Sequence, residues 1–165
     1  MIQKLFIDMD GVISDFEGSF SSFYGAETLK NRDKKMWSNE WPDFILEKRG
    51  FEKLPLWPGA EELIRFAKAL VLKGIEVEIL TSSGGSKYYQ EVKEQKTAWL
   101  KKYGISFKPN VVPGRKHKKE YAGPNIVLID DTEDVIDSFN RAGGIGILHK
   151  DIKITLETLE SLLNK

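Results

Sequence analysis

Three apolar runs along the chain each end in a polar tip. Lys4-Leu5-Phe6-Ile7-Asp8-Met9-Asp10-Gly11-Val12 delivers two carboxylates, two residues apart, to a glycine where the backbone can turn away. Ile75 to Thr81 is rich in branched residues and ends in a hydroxyl, and Ile126-Val127-Leu128-Ile129-Asp130-Asp131 ends in acid again. These runs predict strands, accompanied by a short extended piece near Val111-Val112 and a last strand from Ile145 to Leu148. Elsewhere the apolar positions recur at helical spacing. Phe16, Phe20, Phe23 and Tyr24 predict a helix over about 15–24, and Leu63, Phe66, Ala67 and Leu70 form the stripe of one that starts near Pro58 and stops at Gly74. Val92, Trp99 and Leu100 lie on a long helix from about Lys87 to Tyr103. Thr132 can cap a helix reaching about Ala142, and Leu156, Leu159, Leu162 and Leu163 mark a closing one. Between the first helix and Trp57 no strand pattern occurs; Trp37, Trp41, Phe44, Ile45, Leu46 and Phe51 stand among many charges, as in a compact insertion of helices.

Strands alternating with helices call for a parallel sheet covered on both faces. The predicted architecture is α/β: a three-layer, Rossmann-like parallel sheet built from residues 1–15 and 58–165, with a small helical cap, residues 16–57, inserted after the first strand. A length of 165 residues suits one domain with one modest insertion. Lys+Arg and Asp+Glu each total 25, so no global field recruits nucleic acid or an acidic membrane, and any anion must be bound locally. The absence of cysteine excludes disulfides, thiolate metal sites and cysteine nucleophiles. With no signal pattern at the start and no apolar run approaching about 18 residues, a soluble cytoplasmic protein is expected, as monomer or homodimer.

Ligands of such sheets bind beyond the carboxyl ends of the strands. Three strands place Asp8/Asp10, Thr81 and Asp130/Asp131 there. Strand alternation would put Asp8 and Asp10 on one side of the chain. Taken alone, Asp-x-Asp-Gly is also an ordinary way to end a core strand; three polar tips at one edge suggest chemistry on a phosphate. Mg²⁺ takes hard oxygen ligands and commonly combines one or two carboxylates with substrate phosphate. Asp8 can then attack phosphorus, Asp10 can serve as acid for the leaving oxygen and as base for water, and Thr81 and a lysine can hold phosphoryl oxygens. The basic run Arg115-Lys116-His117-Lys118-Lys119 supplies that lysine, with Lys116, Lys118 and Lys119 competing. Asp130 and Asp131 alternate in direction, which leaves open which one meets a metal directly. Lys87, after the serine-glycine loop, is a further phosphate candidate, and His117 and His149 read as surface or structural residues.

In order, spacing and context these segments resemble the haloacid dehalogenase superfamily of phosphohydrolases: DMDGV at 8–12, the strand ending at Thr81, a lysine among 116–119, and IDD at 129–131. The resemblance implies Asp8 as nucleophile and metal ligand. Asp10 follows as acid/base and as metal ligand through its backbone carbonyl. It further implies Thr81, Ser82 and the lysine, Lys118 by its distance from the last motif, as phosphate binders, and Asp130 and Asp131 as the remaining Mg²⁺ ligands. Asp10 favours the phosphatase branch, since the dehalogenases lack that second aspartate.

Asp15-Phe16-Glu17-Gly18, Met36-Trp37, Pro55-x-x-Pro58-Gly59-Ala60 and Thr81-Ser82 extend the likeness to the 5'(3')-deoxyribonucleotidases, which carry a small helical cap with aromatics around the nucleoside. Met36 and Ser38 depart from that family's pattern. The resemblance implies a nucleoside monophosphate substrate, pyrimidine deoxyribonucleotides foremost, with Phe16 and Trp37 at the pocket. Phe20, Phe23, Trp41 and Phe44 are read as cap packing. A phosphatase of another small metabolite or of polynucleotide 3' ends, and a phosphate-binding module without catalysis, are the competing readings.

Overall fold

The computed structural model describes residues Met1–Lys165. Its strands are β1 (Lys4–Ile7), β2 (Glu76–Ser82), β3 (Lys108–Val112), β4 (Ile126–Asp130) and β5 (Ile145–Leu148). All pair in parallel in the order β3-β2-β1-β4-β5, so the first strand is central. Ile7 stands opposite both Ile79 and Ile129, which brings the carboxyl ends of β1, β2 and β4 side by side. Strand order reverses at β1, the place where α/β sheets open a crevice.

Alternation along the strands sorts the core into two layers. Leu5, Ile7, Val77, Ile79, Val127 and Ile129 face one side, together with Leu63, Ala67 and Leu70 of α3 (Ala60–Leu72), Val92 and Trp99 of α4 (Tyr89–Lys102) and Leu159 of α6 (Ile152–Leu163). Phe6, Leu80 and Leu128 face the other, beneath Val135 and Phe139 of α5 (Glu133–Arg141). A sheet between two helical layers is the expected α/β architecture. No helix is long and apolar enough to cross a membrane.

Between β1 and α3 the chain is helical and adds no strand to the sheet. It forms α1 (Phe16–Tyr24), α2 (Ala26–Asn31), π-helical turns at Met36–Glu40 and Asp43–Glu47, and a 3₁₀ turn at Gly50–Glu52. Asp15 starts α1 by accepting from the Gly18 N–H at 2.9 Å, satisfying one of the helix's free donors. Phe20, Phe44 and Phe51 are buried at the centre of this cap.

Three local expectations are corrected. β1 ends at Ile7, so Asp8 and Asp10 lie on the turn beyond it. α3 begins at Ala60 because Gly59 adopts φ +82°, a left-handed conformation that a helix starting at Pro58 cannot contain. Thr132 precedes α5, but its hydroxyl donates to Asp131 Oδ1 at 3.3 Å instead of capping the helix.

Candidate active site

The Asp8 N–H donates to Ile129 O at 3.0 Å, the last tie of this segment to the sheet. The chain then folds on itself, with the N–H groups of Val12, Ile13 and Ser14 all donating to Met9 O. Gly11 has φ +80°, and a Cβ there would lie 2.1 Å from Asp131 Oδ2, so only glycine lets this turn approach β4. Because strand alternation has stopped, the two aspartates find different partners. Asp8 Oδ1 accepts from Lys118 Nζ at 2.8 Å, whereas Asp10 Oδ2 accepts from Lys96 Nζ at 2.8 Å and its Oδ1 from Ser14 Oγ at 3.2 Å. Both aspartates nevertheless line one cavity of about 390 Å³, within the usual range for small-molecule sites.

Lys118 bridges the ends of β1 and β4, donating also to Asp130 Oδ2 at 2.6 Å. It sits on a 3₁₀ segment, Arg115–Tyr121, and is buried while Lys116 and Lys119 are exposed. Burial opposes its charge, but the carboxylates of Asp8 and Asp130 prevail and raise its pKa above the ordinary lysine value. Asp8, Asp130 and Asp131 each offer an oxygen within 4.8 Å of the others. Burial, followed by the neighbouring charge of Asp130, pushes the Asp8 carboxyl well above the usual range against the pull of Lys118. The same two causes push Asp131 up to about 6. Four carboxyl groups, counting Asp10, meet two ammonium groups, Lys96 and Lys118, a formal excess of two acids in keeping with the upward shifts of Asp8 and Asp131. Hard oxygen donors with that excess of acid fit a divalent cation such as Mg²⁺.

Asp8, Asp10, Ser82, Lys118, Asp131, Phe16 and Trp37 all line the cavity. Asp130 stands behind Lys118, fully buried, and accepts from the Thr132 N–H at 2.9 Å. Thr81 is also fully buried and is not part of the cavity wall; its hydroxyl accepts from Lys96 Nζ at 2.7 Å. Lys87 is exposed and lines a neighbouring groove with Lys34 and Tyr88, outside the cavity, in contrast to its expected role. His117 contacts Glu120 at the surface, and His149 is buried against Thr155 Oγ1 at 2.7 Å.

Phe16 both holds the cap together and faces the cavity, stacking on Phe51 with centroids 5.4 Å apart and planes at 11°. Trp41, read from sequence as packing alone, lines the cavity too, and so do Met36, Phe51 and Trp57. Gly84, at φ +74°, lets the loop after β2 approach Trp41, whose ring would lie 2.8 Å from a Cβ. Lys96 was missed because the lysine-rich α4 reads as a solvated helix. Its place three before Trp99 and four after Val92, on the buried stripe, was the available signal.

No protein-family model matches the chain, and no curated protein matches it. Solved structures do. A hydrolase from Streptococcus pneumoniae TIGR4 is 17% identical with a TM-score of 0.57, over 96% of this chain and 98% of that one. A HAD-superfamily hydrolase from Ehrlichia chaffeensis is 14% identical with a TM-score of 0.56, over 99% of both chains. The HAD-hydrolase YfnB of Bacillus subtilis, solved bound to magnesium, is 15% identical with a TM-score of 0.54, over 88% of this chain and 85% of that one. The chain therefore shares the α/β fold of these hydrolases.

Proposed function

We propose that this protein is a Mg²⁺-dependent phosphomonoesterase that dephosphorylates nucleoside monophosphates, pyrimidine deoxyribonucleotides foremost, through an aspartyl-phosphate on Asp8. The observation that carries the reading is Lys118 held between Asp8 and Asp130, beside Asp131, at the floor of an aromatic-walled cavity. Asp8, Asp130 and Asp131 would hold the ion, which when bound supplies the positive charge their cluster lacks and draws phosphoryl oxygens to it.

Asp8 is buried and aimed by its bond to Lys118, so its free oxygen meets phosphorus with little reorganisation. The oxygen of Asp8 bonds to phosphorus, the ester P–O bond breaks, and Asp10 gives a proton to the leaving alcohol oxygen. Water then gives a proton to Asp10 and attacks the same phosphorus. The P–O bond to Asp8 breaks, and inorganic phosphate leaves. Lys118 offsets the charge that gathers on the transferring group, and Ser82 at the cavity wall offers a further hydroxyl. Phe16 and Trp37, cavity-wall rings that are not buried, offer ring surface to a base, and such stacking is worth about 1 to 3 kcal/mol.

Release of phosphate from a panel of 5'- and 3'-nucleoside monophosphates and sugar phosphates, with Mg²⁺ and with EDTA, tests the proposal. Turnover of nucleotides above sugar phosphates, lost in EDTA, is expected. Rapid turnover of a sugar phosphate with none for any nucleotide would remove the nucleotide assignment, and no turnover at all would remove the phosphatase.

A further inference from the structure

One face of α4 sends three side chains out of the helix to other elements. Gln95, Lys96 and Trp99 are 1%, 0% and 0% exposed. Gln95 accepts from the Phe51 N–H at 3.2 Å and donates to Ile45 O at 2.7 Å, and Trp99 Nε1 donates to Leu54 O at 2.7 Å. These bonds tie the end of the cap to the core. Lys96 lies between them and turns to the active site. Its Nζ donates to Asp10 Oδ2 at 2.8 Å, Thr81 Oγ1 at 2.7 Å and Ser82 O at 2.9 Å, and sits 5.0 Å from the centroid of the Phe51 ring.

Burying an ammonium is costly unless its protons find acceptors, and here all three do. An apolar residue would fill the same space at less cost; what it would not do is order Asp10. With Ser14 Oγ on Oδ1 and Lys96 on Oδ2, the Asp10 carboxylate is held at both oxygens, one of them by a group anchored to β2 and to the cap.

We propose that Lys96 is a positioning residue that fixes the Asp10 carboxyl for proton transfer to the leaving oxygen and joins that setting to the cap through Phe51. This rests on the phosphomonoesterase reading above. Lys96 touches no reacting atom in the scheme; it acts through Asp10. Loss of positioning should therefore matter for an alcohol leaving group, which must be protonated as the P–O bond breaks, and much less for p-nitrophenolate, which departs without a proton.

The test compares wild type, Lys96→Met and Lys96→Arg on a nucleoside monophosphate and on p-nitrophenyl phosphate. For Lys96→Met we expect kcat/KM, which reports the first phosphoryl transfer and not the shared attack of water, to fall about 100-fold on the nucleotide, the scale of a lost general acid, and less than about 10-fold on p-nitrophenyl phosphate. Lys96→Arg should restore part of the nucleotide rate. Equal losses of kcat/KM on both substrates, or no loss on either, would overturn the proposal while leaving the phosphatase intact. Should Lys96→Met fail to fold, Lys96→Gln, which keeps donors for Thr81 and Ser82, is read in the same way. If the wild type turns over neither substrate, the phosphatase falls; a crystal structure of Lys96→Gln then decides, with a reoriented Asp10 supporting positioning and an unmoved Asp10 contradicting it.

Discussion

At the carboxyl edge of the sheet Asp8, Asp10, Asp130, Lys96 and Lys118 each have an assigned partner. Lys118 is shared by Asp8 and Asp130, Lys96 by Asp10 and Thr81, and Asp130 also takes the Thr132 N–H. In the cap, Phe16, Phe20, Trp41, Phe44 and Phe51 hold one another through ring contacts with centroids 5.2 to 6.2 Å apart. The first region is directional: removing one member leaves another buried and unpaired, a cost larger than that of the bond itself. The second is dispersive and apolar, and tolerates exchange of rings of similar volume. The comparison teaches a division of labour within one cavity. Chemistry is fixed where partners are obligatory, and selectivity is set where shape can change without dismantling the fold.

The sharpest way to break this contrast is Lys118→Met. Breaking a buried ion pair from one side typically costs about 3 to 5 kcal/mol, and loss of a preorganised positive group costs about 100-fold or more in turnover. Denaturant unfolding and initial rates should show both losses together, and a variant stable and active at neutral pH would sink the directional account. Next in size is Trp37→Ala. Trp37 is 43% exposed, so its removal should leave the melting temperature almost unchanged. It should lower kcat/KM for nucleotides by about 5- to 150-fold, the equivalent of one stacked base, with p-nitrophenyl phosphate hardly affected. A loss shared equally by both substrates would erase the distinction between chemistry and selectivity.

The smallest effect concerns charge alone. Asp131 is pushed up to about 6 when folded, so the folded state binds more protons than the unfolded one. Its contribution therefore makes the metal-free protein less stable as pH rises from about 4 through about 6. In EDTA, Asp131→Asn should melt a few degrees above wild type at pH 7, with the gap closing below about pH 4. Mg²⁺ should raise the melting temperature of wild type far more than that of the variant. A variant that melts lower than wild type in EDTA would show that the acidic cluster is not short of positive charge.

The strand bodies and their tips were legible because acid at the end of an apolar run violates the expectation of burial and so marks a use for the charge. The residues alone narrow the phosphate lysine only to a run, within which Lys118 stands out through the family resemblance and its distance to the last motif. Which one turns inward depends on the phase of a 3₁₀ segment with three residues per turn, and neighbouring lysines of equal polarity do not reveal that phase. Lys96 was hidden by composition, since α4 carries Lys93, Lys101 and Lys102 as well and its charges suggest a wet face. Asp8 and Asp10 were placed together by an alternation that had already ended at Ile7. In the cap the helices were evident but the roles of the rings were not. A ring at the wall and a ring in the core have the same hydrophobic signature, and Phe16 and Trp41 occupy both positions at once.

The central claim is that Asp8 receives the phosphoryl group, and the most direct measurement is chemical. Asp10→Asn, incubated with Mg²⁺ and p-nitrophenyl phosphate labelled in its phosphate, whose leaving group needs no proton, then quenched in acid and reduced with borohydride, should carry a single reduced aspartate within the peptide containing Asp8. Label or reduction at any other residue, or full turnover by Asp8→Asn, would contradict the account.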